Sequence, residues 1–144
     1  MKVYVCGGST EMADVAKRMG QLRALGHTIT MDWVATIRAN GEANPRNVPH
    51  SVRARWAEED IDGIVRADIV WAMLPARTSF GCAFEVGYAC GHGHAVIVSG
   101  DWRASIFSSQ ALARFNEHDH ALEWLKLYSS PGDHHDDMVA LEAF

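Results

Sequence analysis

Residues 67–100 read ADIVWAMLPARTSFGCAFEVGYACGHGHAVIVSG, and this run decides the fold. Asp68 to Leu74 (DIVWAML) is almost wholly apolar, as a strand covered on both faces must be. Pro75 ends it. Residues 76–80 then form a loop at the C-terminal edge of that strand, residues 81–91 a helix, and residues 95–99 (AVIVS) a second buried strand. The helix is rich in small residues (Gly81, Ala83, Gly87, Ala89), which let its backbone approach a sheet or a partner helix closely. Glu85 is the one charged residue between Thr78 and Gly91. It falls within the first turn or two of the helix, where the helix dipole is expected to favour its ionised form.

The segments before this run repeat its strand–turn–helix logic. Residues 2–6 (KVYVC) are a short β-rich stretch ending at Gly7-Gly8. Ser9 or Thr10 is expected to cap a helix over residues 11–25, stopped by Gly26. A strand, small residues and a helix N-terminus can cradle an anion or sugar hydroxyls. GGST, however, has neither the Lys of a P-loop nor GxGxxG spacing, and such a turn often only makes a tight bend. Residues 27–33 (HTITMDW) alternate and read as strand two, with Asp32 and Trp33 at its C-terminal end. Ligands bind at that edge of open parallel sheets. Trp33 either stacks on a planar base or closes the core. Residues 34–48 contain Gly41, Asn44, Pro45 and Asn47 and are expected to be a loop, longer than usual connections. Pro49 suits the first turn of a helix over residues 51–66, with Val52, Trp56, Ile61 and Ile64 apolar and Asp62-Gly63 weakening it late. Glu58, Glu59, Asp60 and Asp62 cluster near its end.

Beyond the central run, residues 105–109 (SIFSS) are expected as a loop at the active edge and residues 112–115 as a short fifth strand. A helix then runs from His118 or Asp119 to Tyr128. Four to five strands alternating with helices predict an α/β domain: a flavodoxin-like, doubly wound fold on a mostly parallel sheet. Residues 1–128 make a single domain and residues 129–144 a C-terminal tail, loose or in an oligomer contact.

The totals fit this frame. The 144 residues suffice for one real core. The hydrophobic fraction of 48% and charged fraction of 22% are those of a soluble globular protein. A net charge of −5 gives no electrostatic case for nucleic-acid binding. No apolar run approaches the roughly 20 residues of a membrane span. The opening MKVYVCGGST lacks a signal peptide's apolar region and cleavage site, and three cysteines without metal-like spacing read as free thiols, so a cytoplasmic protein is expected.

A carboxylate at the sheet edge near a second carboxylate suits glycosyl transfer. One attacks the anomeric carbon and forms a glycosyl-enzyme ester; the other assists the leaving group and then activates the acceptor. Cleaving an N-glycosidic bond needs the same parts, because the base leaves as a nitrogen anion unless it is protonated. Glu85 is the candidate nucleophile and Asp60 the candidate acid/base or positioning group.

Three segments carry a resemblance: VYVCGGS (residues 3–9), EEDIDGIVRADIVWAML (58–74) and above all GCAFEVGYACGHGHAVIV (81–98). In these the chain resembles the nucleoside 2-deoxyribosyltransferase family and its relatives, the 2′-deoxynucleoside 5′-phosphate N-hydrolases. The resemblance implies that Glu85 attacks C1′ of the deoxyribose and that Asp60 assists at the leaving base. It implies that Tyr4 lies under the sugar and holds the nucleophile or a sugar hydroxyl. Gly7, Gly8 and Ser9 would line the sugar or phosphate side, and Ser79, Phe80 and Gly81, before the nucleophile, would contribute too. It further implies a homo-oligomer, a dimer or larger, whose neighbouring subunit completes the site from residues 105–109, Ser108 among them. The transferases carry an acidic residue in the loop where this chain has ARTSFG. Arg77 and Ser79 stand there instead, which fits a phosphate better than a bare nucleoside.

Other chemistries fare worse. His92-Gly93-His94, His118-x-His120 and His134-His135-Asp136-Asp137 offer no three convergent ligands, so neither metal nor other cofactor is expected. Cys82 reads as a small buried hydrophobe rather than a nucleophile. The expected partner is a small-molecule nucleoside or nucleotide. The alternatives are a non-catalytic nucleotide-binding module on the same fold and an enzyme cleaving the nicotinamide glycosidic bond of NAD.

Overall fold

The computed structural model describes residues 1–77 and 79–128. The strands are β1 (Lys2–Cys6), β2 (Thr28–Ile29), β3 (Ile69–Met73), β4 (Ala95–Ser99) and β5 (Ala113–Phe115). The helices are α1 (Met12–Ala24), α2 (Trp33–Asn40), α3 (His50–Val65), α4 (Phe80–Gly91) and α5 (His118–Leu127). All five strands are parallel, in the order β2-β1-β3-β4-β5. Parallel pairing obliges each connection to cross over: α1, then α2 with α3, then α4 make the first three crossovers, 3-10 turns over Trp102–Ala104 and Ile106–Gln110 make the fourth, and α5 follows β5. Every residue of β3 is buried, as its apolar run requires. Arg18 of α1 pairs with Asp119 of α5 on one face of the sheet. α3 and α4 pack together on the other. No described helix is long and apolar enough to cross a membrane.

Three local expectations are corrected. Strand two is only Thr28–Ile29, because Asp32 starts a helix: its carboxylate accepts the Ala35 N–H at 2.9 Å and caps α2. Residues 34–48 are therefore not a loop; α2 runs to Asn40 and a 3-10 turn spans Pro45–Asn47. At the start of α1 neither Ser9 nor Thr10 acts as a side-chain cap; a 3-10 turn over Ser9–Glu11 leads in instead. The tail, residues 129–144, lies outside the described residues.

Two close approaches shape the region where β1 and β3 end. A Cβ at Gly7 would stand 2.7 Å from Val15 Cγ2, and one at Gly8 2.8 Å from Pro75 Cβ. The chain leaving β1 thus threads between α1 and the exit of β3. Gly63 does the same for α3: a Cβ there would lie 2.6 Å from Met31 Cβ and 3.0–3.1 Å from the Tyr4 ring. Alanine normally stabilises a helix interior by about 1 kcal/mol over glycine. At position 63 the crowding reverses the sign, and Gly63→Ala is expected to cost about 1–3 kcal/mol. Urea titration of the two proteins reads the difference; a gain in stability would mean that α3 is not held that close to β1.

Candidate active site

The order β2-β1-β3 makes the chain leave β1 and β3 in opposite directions, and a crevice opens between those exits. There the structure has a cleft of about 510 Å³. Gly7, Gly8, Ser9 and Thr10 line it after β1, Met31 and Trp33 after β2, and Arg77, Ser79, Phe80 and Gly81 after β3. Asp60 and Trp56 enter from α3, Cys82 and Glu85 from α4.

The floor is built on Tyr4. Its alternation along β1 turns the ring toward α3 and α4, where it is fully buried. Its hydroxyl donates to Glu85 Oε1 at 2.9 Å, across 81 residues of sequence. Asp60 is close enough for its charge to raise the tyrosine, and the same hydroxyl draws Asp60 downward. Burial, with Glu85 next, holds Tyr4 far above the ordinary phenol value, so its proton stays in place.

The two carboxyls are both pushed up. Burial first, and Asp60 second, raise Glu85 from 4.5 to about 8, against the hydrogen bonds from Tyr4 and Cys6. Burial raises Asp60 from 3.8 to about 6, against Tyr4. Asp60 Oδ1 is sealed from bulk water and has no hydrogen-bond partner among the described residues. The expectation that the dipole of α4 keeps Glu85 ionised is overturned. Glu85 is the sixth residue of the helix, past the first turn where the dipole acts, and burial dominates. Around neutrality the pair shares one proton.

Several expected residues have structural duties. Trp33 is both wall and core: its Nε1 donates to the Val5 carbonyl at 2.8 Å while the side chain lines the cleft. Ser79 caps α4, its Oγ accepting the Cys82 N–H at 3.3 Å, and also reaches the cleft. Phe80, 88% exposed, stands on the rim. Asp32 does not line the cleft; capping α2 and pairing with Arg23 at 2.7 Å occupy it. Ser108 does not line it either, being buried within a 3-10 turn of its own chain. Arg77 is exposed on the wall and has no ion-pair partner among the described residues. Met31, Thr36, Ile37, Ala43, Pro45 and Trp56 complete the wall, and sequence reasoning named none of them as site residues. Trp56 had a signal: it precedes Asp60 by four positions, one helical turn on the same face. Among the described residues no cluster of three or more His, Cys, Asp or Glu is arranged to hold a metal ion.

Fold and cleft together define a class: a doubly wound α/β domain with paired carboxyls at the switch point of its sheet. The chain belongs to the nucleoside 2-deoxyribosyltransferase family, whose sequence profile matches residues 3–124. It thus joins enzymes that act on the N-glycosidic bond of nucleosides. Among solved structures it is similar to the 2-deoxyribosyltransferase of the psychrotolerant bacterium Bacillus psychrosaccharolyticus, with TM-score 0.65 and 21% identity over 90% of this chain and 93% of that one. It is also similar to the CMP N-glycosidase of Clostridium botulinum, with TM-score 0.58 and 15% identity over 90% of this chain and all (100%) of that one. At these identities the likeness is one of fold. No curated protein sequence matches the chain significantly.

Proposed function

We propose that the protein cleaves the N-glycosidic bond of a 2′-deoxynucleoside 5′-monophosphate, with the bare nucleoside as the lesser substrate. The sugar passes through an ester with Glu85 to water or to a second base. The observation that carries this reading is the Tyr4 hydroxyl on Glu85 at 2.9 Å, on the floor of a cleft that Asp60 shares.

The proton inventory supports it. Cleavage needs one carboxylate to attack C1′ and one proton to leave with the base. Between about 6 and about 8 the pair holds that inventory, one proton and one negative charge. With a sugar over Glu85, positive charge developing at C1′ favours the anion there, and the proton belongs on Asp60. The Tyr4 hydroxyl, in contact with Glu85 and facing Asp60, keeps the two carboxyls coupled throughout. Hydrolysis of the ester reverses the roles, with Asp60 taking the proton from water.

Arg77 argues for the phosphate. Its guanidinium has no ion-pair partner among the described residues, and the hydroxyls of Ser9, Thr10 and Ser79 line the same cleft. A phosphate there would gain a charge-assisted contact that a bare nucleoside lacks. Trp33, Trp56 and Met31 offer apolar surface to a base.

The experiment is product analysis. Wild-type protein and Glu85→Ala are incubated with deoxynucleosides, their 5′-monophosphates and CMP, with and without free adenine. Free base and deoxyribose 5-phosphate from a monophosphate without acceptor mean hydrolysis; base exchange only with adenine means transfer. If the wild type binds nucleotides but yields neither product, a binding module is the right reading. Activity in the variant would remove Glu85 as nucleophile.

The pH profile is a separate test. Because the active form carries one proton on the pair, kcat/KM is expected to be bell-shaped, with limbs near 6 and 8. A rate that keeps rising above 8 would mean that the shared proton plays no part.

A further inference from the structure

Two thiols meet at the floor of the cleft, and the proposed reaction uses neither as a reactant. Cys6 is the last residue of β1 and fully buried. Cys82 is the third residue of α4, 2% exposed, and lines the cleft. Their sulfurs lie 3.6 Å apart in a thiol–thiol hydrogen bond. A disulfide has its sulfurs about 2.05 Å apart, so an approach of about 1.5 Å would close the bond. The third thiol, Cys90, stands two turns further along α4 and takes no part in this contact.

The position matters more than the distance. Cys6 is close enough to Glu85 for the carboxyl's charge to raise the thiol, and Cys82 precedes Glu85 by one helical turn on α4. Two buried thiols acting only as small apolar residues need no such arrangement around the carboxyl at the cleft floor.

We propose that Cys6 and Cys82 form a redox switch, in which a peroxide entering the cleft closes them into a disulfide that takes Glu85 out of action and a thiol reductant restores it. The cleft-lining Cys82 meets the oxidant first. Its thiolate attacks one peroxide oxygen, the O–O bond breaks, and a sulfenic acid forms as hydroxide leaves and becomes water. The Cys6 sulfur then attacks the sulfenic sulfur. The S–S bond forms, the S–O bond breaks, and the departing hydroxide takes the Cys6 proton as a second water. Two thiols and one hydrogen peroxide become one disulfide and two waters. The bond draws the end of β1 toward the first turn of α4. It also removes the Cys6 thiol proton that helps hold the Glu85 carboxyl down, and leaves that part to the Tyr4 hydroxyl.

Closure of the disulfide stands on the thiol geometry alone; its effect on turnover rests on the proposed role of Glu85. The test treats the full chain with hydrogen peroxide, then counts thiols and maps linked peptides by mass spectrometry. Two of the three thiols are expected to vanish together, joining the Cys6 and Cys82 peptides, and dithiothreitol restores both. Cys90→Ser, with the same starting activity, gives the same linkage. Turnover falls about a hundredfold in step with the linkage and returns on reduction, as small displacements at reacting centres predict. A readout independent of turnover is the Glu85 carboxyl stretch in the infrared, assigned with Glu85→Gln; its protonation midpoint moves to higher pH on oxidation. Cys82 oxidised to sulfinic acid with Cys6 left free, linkage through Cys90 or between molecules, or linkage with the Glu85 band unmoved would each overturn the proposal. If the reduced protein turns over no nucleotide, the proposed function fails, while the peptide map and the infrared band still decide the switch.

Discussion

Glu85→Gln is expected to lower kcat by about a thousandfold or more, because the ester cannot form without the nucleophile. The same change is expected to make the protein more stable. Glu85 titrates at about 8 in the fold against 4.5 in the open chain, so the folded state holds the proton more tightly. The Glu85 contribution to wild-type stability is therefore full below about 4.5 and declines as pH rises, with the whole penalty present above about 8. Glutamine keeps an acceptor for the Tyr4 hydroxyl and carries no charge to desolvate. At pH 8 its melting temperature should exceed that of the wild type by about 3 °C or more. The gap should close as the pH is lowered toward 4.5. Calorimetry at several pH values beside single-turnover kinetics gives both readouts. Loss of activity together with loss of stability at pH 8 would mean that the carboxyl is a structural group.

Asp60→Asn is expected to cost about a hundredfold to ten-thousandfold in kcat, the range for removing a positioned acid. The loss should depend on the leaving group. A base that departs easily as an anion needs little protonation, so a nitro-substituted pyrimidine should suffer least and an unsubstituted base most. The variant should also lose the alkaline limb: its rate should rise with the ionisation of Glu85 to a plateau, at a midpoint below about 8. The Asp60 charge is the second cause raising Glu85, and asparagine removes it while burial stays. Equal losses for good and poor leaving groups would assign Asp60 to holding the sugar rather than to the departing base.

The parts legible in the sequence were those with local signals. The unbroken apolar runs of β3 and β4 require covering on both faces, and Glu85 stood out as the one charge in a small-residue helix. α2 was hidden because Val34, Thr36 and Ile37 are β-branched and weaken helical preference, while Gly41, Asn44 and Pro45 announce a turn. The cap that starts it, Asp32, is visible, but at the end of an alternating run it reads as a ligand group on a strand edge. The electrostatics of Glu85 were not legible at all. They depend on Tyr4, Cys6 and Asp60, which only the sheet and the packing of α3 against β1 bring to it.

That packing passes through Gly63, a residue that looked like a flaw late in its helix. Trp33 shows the opposite economy. Its indole nitrogen is tied to the Val5 carbonyl, so the wall nearest β1 is continuous with the core and cannot be altered without disturbing it. One turn further along the same helix Thr36 and Ile37 line the cleft, with Ala43 and Pro45 beyond its end, all outside the five-stranded sheet. A change of substrate, whether drifted into by a lineage or imposed in the laboratory, therefore has one open route. Thr36, Ala43 and Pro45 can be rewritten residue by residue while Trp33 and the carboxyl floor stay as they are.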